Sequence, residues 1–306
     1  MAAGTERSYS QRLSSRKRNA SIFQAVCVAA VLLALVMLLA LLYSVLSEAL
    51  AWLNLDGTSI KTLLTDIPSS KAVNSGLFPA IVGTLWVMGI CVFVSFTVGV
   101  SAAIYLEEYS SGSRIAELIQ TNIQNLAAVP SIVYGILGLS IFVAFFVMVA
   151  PGTDGKNVSA AGLTLALLIM PVVIVSSQEA IRAVPPSIRE GGYALGGTKW
   201  QVVWRLVLPQ AMPGILTGII LAVSRAMGEA APLVIMGALS FVPFAPSGPL
   251  DRFTVLPIQI YVWISKPQEE FHHLAAAGIV VLLIMLLGMN AFAIFLRNRL
   301  QKNLRG

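Results

Sequence analysis

The sequence predicts an all-α membrane protein with six transmembrane helices, and three observations carry that prediction. Of its 306 residues 57% are hydrophobic and only 11% charged, less than half the ~25% charge of ordinary soluble domains. Six apolar runs are long enough to cross a ~30 Å hydrocarbon core. The cations flank these runs, so the net charge of +6 reads as membrane topology rather than nucleic-acid binding.

In chain order, residues 1–20 form a basic tail carrying Arg7, Arg12, Arg16, Lys17 and Arg18. Residues 22–46 hold no charge and exceed the roughly 7–15 apolar residues of a signal peptide, so an uncleaved first span is expected. A polar connection, 47–79, leads to a second span, 79–106. Its Gly83, Gly89, Gly99 and Ala102-Ala103 let neighbouring helices come close. After a polar segment, 107–125, the third span is expected at 126–149, with Pro130 near its start. The fourth, 160–177, is short and expected to bend at Pro171. A polar loop, 178–213, precedes the fifth span, 214–238. Residues 239–274 are rich in Pro and aromatics, the sixth span is 275–296, and 297–306 is a second basic tail. No internal repeat is evident, so residues 21–296 read as one membrane domain.

Cation counts orient the chain. The two tails with segments 106–125 and 176–213 hold fourteen Lys and Arg, against five in the alternate connections. Both termini and the 176–213 island are therefore expected on the cytoplasmic side.

That island carries two helix starts. Ser187-Ile188-Arg189-Glu190 and Thr198-Lys199-Trp200-Gln201 both have capping-box spacing. Gly196-Gly197 between them has the freedom to end one helix and turn into the next, and Pro209 is expected to stop the second. Ile188, Gly191 or Gly192, and Leu195 share one side of the first helix. Trp200, Val203, Trp204 and Val207 form a stripe on the second. A small-residue notch beside aromatic knobs suits docking into a groove of another protein. An interfacial hairpin that only ties two spans together has the same pattern.

The fifth span holds an intramembrane pair, Arg225 and Glu229, four residues apart on one helical face with Gly218 and Ala222. Arg225 lies about 16 Å past Gly214 at 1.5 Å per residue, near the middle of the core. Each such charge costs roughly 2.5–3.5 kcal/mol on insertion scales, so both belong beside a wet or protein-lined path. They could serve only as a self-neutralising packing pair. They could also pass an anion: Arg offers a planar fork of donors to an oxyanion, and ionised Glu229 accepts a hydrogen bond that hydrogen phosphate can donate and sulfate cannot. Pro232 just beyond offers a kink.

Beyond these physical readings, the residues resemble a known family. Glu190-Gly191-Gly192, three residues, Gly196, nine residues, then Leu206-x-Leu208-Pro209 resembles the EAA loop of ABC-importer permeases, with Gly-Gly for Ala-Ala and Leu206 for Ile. Ser224-Arg225-Ala226-Met227-Gly228-Glu229-Ala230-Ala231-Pro232-Leu233 is similar to a segment of the phosphate-specific ABC permeases. Val129 to Gly135 and Leu256-Pro257-x-Gln259-Ile260-Tyr261-x-Trp263 resemble two more stretches of one of their two permease subunits. The similarity runs from about residue 76 to 296. It implies a type I ABC importer permease fold in a bacterial inner membrane, as one half of a permease heterodimer. The implied partners are two ATP-binding subunits on the cytoplasmic side, a sister permease and an extracytoplasmic phosphate-binding protein. The implied roles are substrate translocation for Arg225 and Glu229. Glu190, Gly191, Gly192, Gly196, Leu206, Leu208 and Pro209 would then couple to the ATPase.

No catalytic residue, cofactor or metal is expected. Gly192 to Lys199 echoes a phosphate-binding loop but ends Gly-Thr-Lys and needs Gly197 as a helix break. His272 and His273 are adjacent and point apart on a helix. Trp52, Trp86 and Trp263 read as interfacial anchors. Cys27 and Cys91 lie within apolar runs and suggest no disulfide. A permease for another oxyanion or polar solute, or a gradient-driven carrier, remain the alternatives.

Overall fold

In lipid a spanning segment must satisfy its own backbone, which leaves the helix as the solution for runs like these. The computed structural model describes residues 2–55, 57–110, 112–238 and 242–305, with side chains described except for 2–16, 18 and 300–305. The described residues form thirteen α-helices and no strand. In order they are α1 (Ala2–Leu53), α2 (Ile60–Thr65), α3 (Phe78–Ile104), α4 (Arg114–Ala127), α5 (Ser131–Leu137), α6 (Ala144–Val149) and α7 (Val158–Arg182). Then come α8 (Pro186–Ala194), α9 (Lys199–Val202), α10 (Leu208–Met227), α11 (Ala231–Ile235), α12 (Leu256–Ile264) and α13 (Glu269–Arg305). π-helical turns at Tyr105–Tyr109, Gly138–Val143 and Val203–Val207 follow α3, join α5 to α6, and join α9 to α10.

Six stretches are long and apolar enough to span: Asn19–Leu53, Phe78–Tyr109, Ser131–Val149, Val158–Arg182, Lys199–Met227 and Glu269–Arg299. Helix α7 is the centre, packed by α3 on one side and α10 on the other, while α13 covers α10 and α12 and is itself covered by α1. The α7 core residues Leu165, Ile169 and Val173 are buried against Val87 and Cys91 of α3 and Ile215 and Ala222 of α10. A second cluster, at the opposite end of the bundle from α8, joins Trp52, Leu77, Leu256, Trp263, Phe271 and Leu274.

Several expected boundaries move, each for a local reason. The third span starts at Ser131, not 126, because Leu126 and Ala127 end the amphipathic α4. The buried Tyr134 hydroxyl donates to Leu126 O at 2.7 Å, beside the Val129 N–H that reaches the same carbonyl at 3.1 Å, and so ties α5 to the end of α4. The fourth span runs unbroken past Pro171 and on to Arg182. Its polar end is sheltered: Gln178 is buried and its Nε2 donates to Gln120 of α4 at 2.9 Å.

Pro209 does not stop a helix. The preceding π turn, closed by Leu208 N–H to Val203 O, widens the backbone where the pyrrolidine ring would otherwise collide. Helix therefore continues from Lys199 to Met227, and the polar loop shrinks from 178–213 to the segment between Arg182 and Lys199. Of the expected tails, residues 2–20 and 297–305 are helical parts of α1 and α13. The side chains of Arg7, Arg12, Arg16, Arg18, Lys302 and Arg305, which entered the cation count, lie outside the described residues.

Trp52 and Trp263 are fully buried, not interfacial anchors, because the end of α1, α12 and the start of α13 converge on them. Trp86 is partly exposed on α3. His272 and His273 do point apart, toward Lys266 O and Glu48 respectively.

Candidate translocation and coupling sites

The sequence places Arg225 and Glu229 on one helix; the structure breaks that helix between them. Helix α10 ends at Met227 and the chain re-enters helix at Ala231, with Pro232 in its first turn. Arg225 is thus in the last turn of α10 and Glu229 in the break. Arg225 Nε lies 3.6 Å from Glu229 Oε1, an ion pair longer than a hydrogen bond, with side chains 56% and 22% exposed. Among the described residues the guanidinium makes no hydrogen bond, so its terminal nitrogens are open to a ligand.

Gly218 and Ala222 lie on the Arg225 side of α10. Both are buried, and a Cβ on Gly218 would lie 2.2 Å from Ser176 Oγ of α7. The exposed residues of the same side are Gly214, Leu221, Arg225 and Gly228. Beside it, Ser224 Oγ donates to Ile220 O at 2.7 Å and lies 2.6 Å from the Asn290 side-chain amide of α13. Arg297 Nη1 donates to Thr217 Oγ1 at 3.0 Å.

Three segments singled out in the sequence meet at this break. A Cβ on Gly135 would lie 2.7 Å from the Pro232 backbone, so α5 and α11 cross at glycine distance. Val255 and Pro257 at the start of α12 line a narrow cleft with Glu229, Thr84, Met88 and Met227. Thr84 Oγ1 accepts the Leu256 N–H at 3.0 Å and donates to Ala80 O at 2.7 Å, which fastens α12 to α3.

The second candidate site is the α8–α9 hairpin. The Thr198 box forms as expected: Gln201 N donates to Thr198 Oγ1 at 3.4 Å and Thr198 N to Gln201 Oε1 at 2.9 Å. The Ser187 box does not, because Pro185 is the N-cap and Pro186 opens the helix two residues early, which puts Ser187 inside the first turn. Gly196 has φ +79°, the left-handed value that ends a helix, and its N–H donates to Tyr193 O at 2.9 Å.

The two glycines after Glu190 differ. A Cβ on Gly192 would meet Leu206 Cδ1 at 2.7 Å and Val202 Cγ2 at 2.9 Å, so Gly192 packs α8 onto the next helix. Gly191 faces open space, and Glu190 is exposed. The expected aromatic stripe divides. Val203 and Val207 turn inward, while Trp200 and Trp204 meet with ring centroids 5.1 Å apart and planes tilted by 53°, 60% and 46% exposed; Leu195 is 91% exposed. Leu208 is buried, with Leu206 and Pro209 partly so. What protrudes is therefore Leu195, Trp200 and Trp204 rather than the notch.

Sequence reasoning missed Glu107, Glu108, Arg182 and Arg189. Arg182 meets Glu107 at 2.9 Å, and Arg189 meets Glu108 at 2.7 Å. The one signal was a pair of acids directly after a span.

Comparison with known proteins agrees with this architecture. A family model described as "Binding-protein-dependent transport system inner membrane component" matches residues 95–306. The chain is 30% identical over 279 residues to the phosphate transport system permease protein PstA of Haemophilus influenzae, covering 90% of this chain and 93% of that one. It is 31% identical over 228 residues to the phosphate transport system permease protein PstA 1 of Mycobacterium tuberculosis, covering 72% and 70%. Among solved structures, a chain of the inward-facing MetNI methionine ABC transporter superposes with a TM-score of 0.55 at 17% identity, over 73% of this chain and 95% of that one.

Proposed function

Because this chain belongs to the family of binding-protein-dependent transport system inner membrane components, we propose that its cargo is inorganic phosphate and that the path runs past Arg225. Membership makes the chain a multi-pass subunit of the bacterial inner membrane and the permease part of an ATP-driven importer. Hydrolysis belongs to separate ATP-binding subunits. The specific partners we propose are two such subunits, a sister permease and an extracytoplasmic phosphate-binding protein.

The observation that carries the reading is the open guanidinium of Arg225, held beside Glu229 at a helix break. An intramembrane charge with no hydrogen bond of its own is costly unless it faces a path or a partner. The fork suits an oxyanion. Glu229 lies 3.6 Å from Nε and leaves both terminal nitrogens of the fork to a ligand, and a protonated phosphate can donate to its carboxylate where sulfate cannot. The names of the relatives agree with that chemistry.

Two contacts support the proposed orientation. Glu48 near the end of α1 meets His273 near the start of α13, and Arg297 in the last part of α13 meets Thr217 in the first half of α10. These support both termini lying at the end of the bundle that carries α8, and the cation count supports that end being cytoplasmic.

The mechanism is alternating access. The exposed Leu195, Trp200 and Trp204 dock in the ATP-binding subunits, and Gly192 keeps the docking hairpin packed as one piece. Trp200 and Arg225 sit on one continuous helix, about 38 Å apart along the axis at 1.5 Å per residue. A tilt imposed at the docking end therefore reaches Arg225 along one unbroken helix, through the π turn at Val203–Val207 and past Pro209 and Pro213. ATP biases the path to the extent that its binding subunits hold the two tilts with different affinity.

The test is ATP hydrolysis by the complete complex, stimulated by the binding protein loaded with phosphate or with sulfate. Stimulation by the phosphate-loaded form alone is expected; equal stimulation by both would contradict the assignment of cargo.

A further inference from the structure

We infer that Glu108 and Arg189 are a positioning pair that carries the movement of the docking helix α8 into the second span, α3; the inference rests on the transport reading above. One guanidinium joins three elements. Arg189 donates from Nε at 3.1 Å and Nη2 at 2.7 Å to Glu108 Oε1, from Nη2 to Ile181 O at 2.9 Å, and from Nη1 to Val184 O at 2.8 Å. Four of its five N–H groups are thereby used. Glu108 belongs to the π turn ending α3, the two carbonyls to the end of α7 and the residues just after it, and Arg189 to α8.

Burial separates this pair from its neighbour. Glu108 and Arg189 are 7% and 21% exposed, so solvent does little to screen them, and removing one leaves the other charge stranded. Arg182, paired with Glu107, is 59% exposed and worth little by comparison. A third contact reinforces the junction: Lys199 Nζ lies 5.1 Å from the centre of the Tyr109 ring. The π turn is what makes this possible. Its widened backbone presents Glu107, Glu108 and Tyr109 in succession to the α7–α9 region, and such turns often mark functional points in helices.

The consequence is mechanical. The helix running from Lys199 to Met227 moves Arg225 directly, but the opposite wall of the cleft at Glu229 is α3, through Thr84 and Met88. Only if α3 responds to the same ATPase can both walls move together. The Glu108–Arg189 junction is the buried polar link by which α8 holds the far end of α3.

The experiment uses the full complex with its ATP-binding subunits and binding protein. It compares wild type, Glu108→Gln and Glu108→Asp. We expect Glu108→Gln to keep the ATP-binding subunits and basal hydrolysis while its stimulation by phosphate-loaded binding protein falls about 5- to 100-fold, the range of a coupling free energy. Glu108→Asp, which keeps the carboxylate, should retain part of the stimulation that Glu108→Gln loses. An assembled Glu108→Gln complex stimulated as strongly as wild type overturns the inference. Should Glu108→Gln fail to assemble, a Glu108→Cys/Arg189→Cys variant, with Cys27 and Cys91 replaced by Ala, joins the positions through a short bifunctional thiol reagent. Uptake that returns on cross-linking supports the pair as one moving unit; an assembled, cross-linked complex without uptake overturns it. A wild-type complex that ignores the phosphate-loaded binding protein contradicts the cargo instead, which keeps the two failures apart.

Discussion

Gly196 offers the sharpest test of the docking hairpin, because only one physical effect operates there. Its φ is +79°, and a Cβ added to it would meet nothing within 4 Å. A substitution therefore changes backbone strain and leaves packing alone. Placing a non-glycine residue in the left-handed region costs roughly 1–2 kcal/mol, least for Asn and most for a β-branched side chain. At about 1.4 kcal/mol per factor of ten, Gly196→Ala should lower the population of the native turn several-fold. Gly196→Val should lower it by ten-fold or more, and Gly196→Asn should stay near wild type. The assay is recovery of ATP-binding subunits with an affinity-tagged permease, normalised to permease content in the membrane. Recovery should fall in the order Gly, Asn, Ala, Val while membrane content stays constant. Full recovery with Gly196→Val, or Asn as damaging as Val, would refute the idea that this turn sets the docking geometry.

Three further outcomes are expected. Thr84→Val leaves the buried Leu256 N–H without its acceptor and should destabilise the complex by about 1–3 kcal/mol; an unchanged Tm in detergent would contradict the bond's role in fastening α12 to α3. Glu229→Gln supplies an amide donor in place of an acceptor, so sulfate should begin to compete with phosphate uptake; undiminished discrimination would remove Glu229 from selectivity. Asp251 accepts from Ser247 Oγ, Ser247 N and Gly248 N, and these bonds hold its carboxyl below the usual value of 3.8. A depressed carboxyl stabilises the 247–251 turn above that value and loses its effect as pH falls through the lower folded one. Pepsin cleavage of this turn should therefore stay slow down to about pH 4 and rise below it. Cleavage that is already fast above that point would contradict the assignment.

Much of this architecture was legible because its signals are local. Apolar length identified six spans, Thr198 and Gln201 announced their cap, and Gly196 announced a left-handed turn. What was not legible depended on contacts distant in sequence. Glu107 and Glu108 read as loop acids because their partners, Arg182 and Arg189, lie 75 and 81 residues away. Trp52 and Trp263 resembled interfacial anchors, and only the convergence of α1, α12 and α13 buries them. Pro209 is a stop signal in an isolated helix, yet one π turn ahead of it lets the helix pass. The Arg225–Glu229 pair was recognisable by charge, but i,i+4 spacing suggested a single helical face. Gly228 and Pro232 were the residues that could have signalled the break between them.

The account as a whole rests on phosphate moving past Arg225. The direct measurement is ATP-dependent uptake of labelled phosphate into vesicles carrying the full complex, with wild type, Arg225→Lys and Arg225→Ala assembled to the same extent. The expected result is uptake by wild type, little by the Lys variant because a point charge replaces the fork, and none by the Ala variant. Uptake by Arg225→Ala equal to wild type would reduce the charge pair to packing and contradict the proposed path.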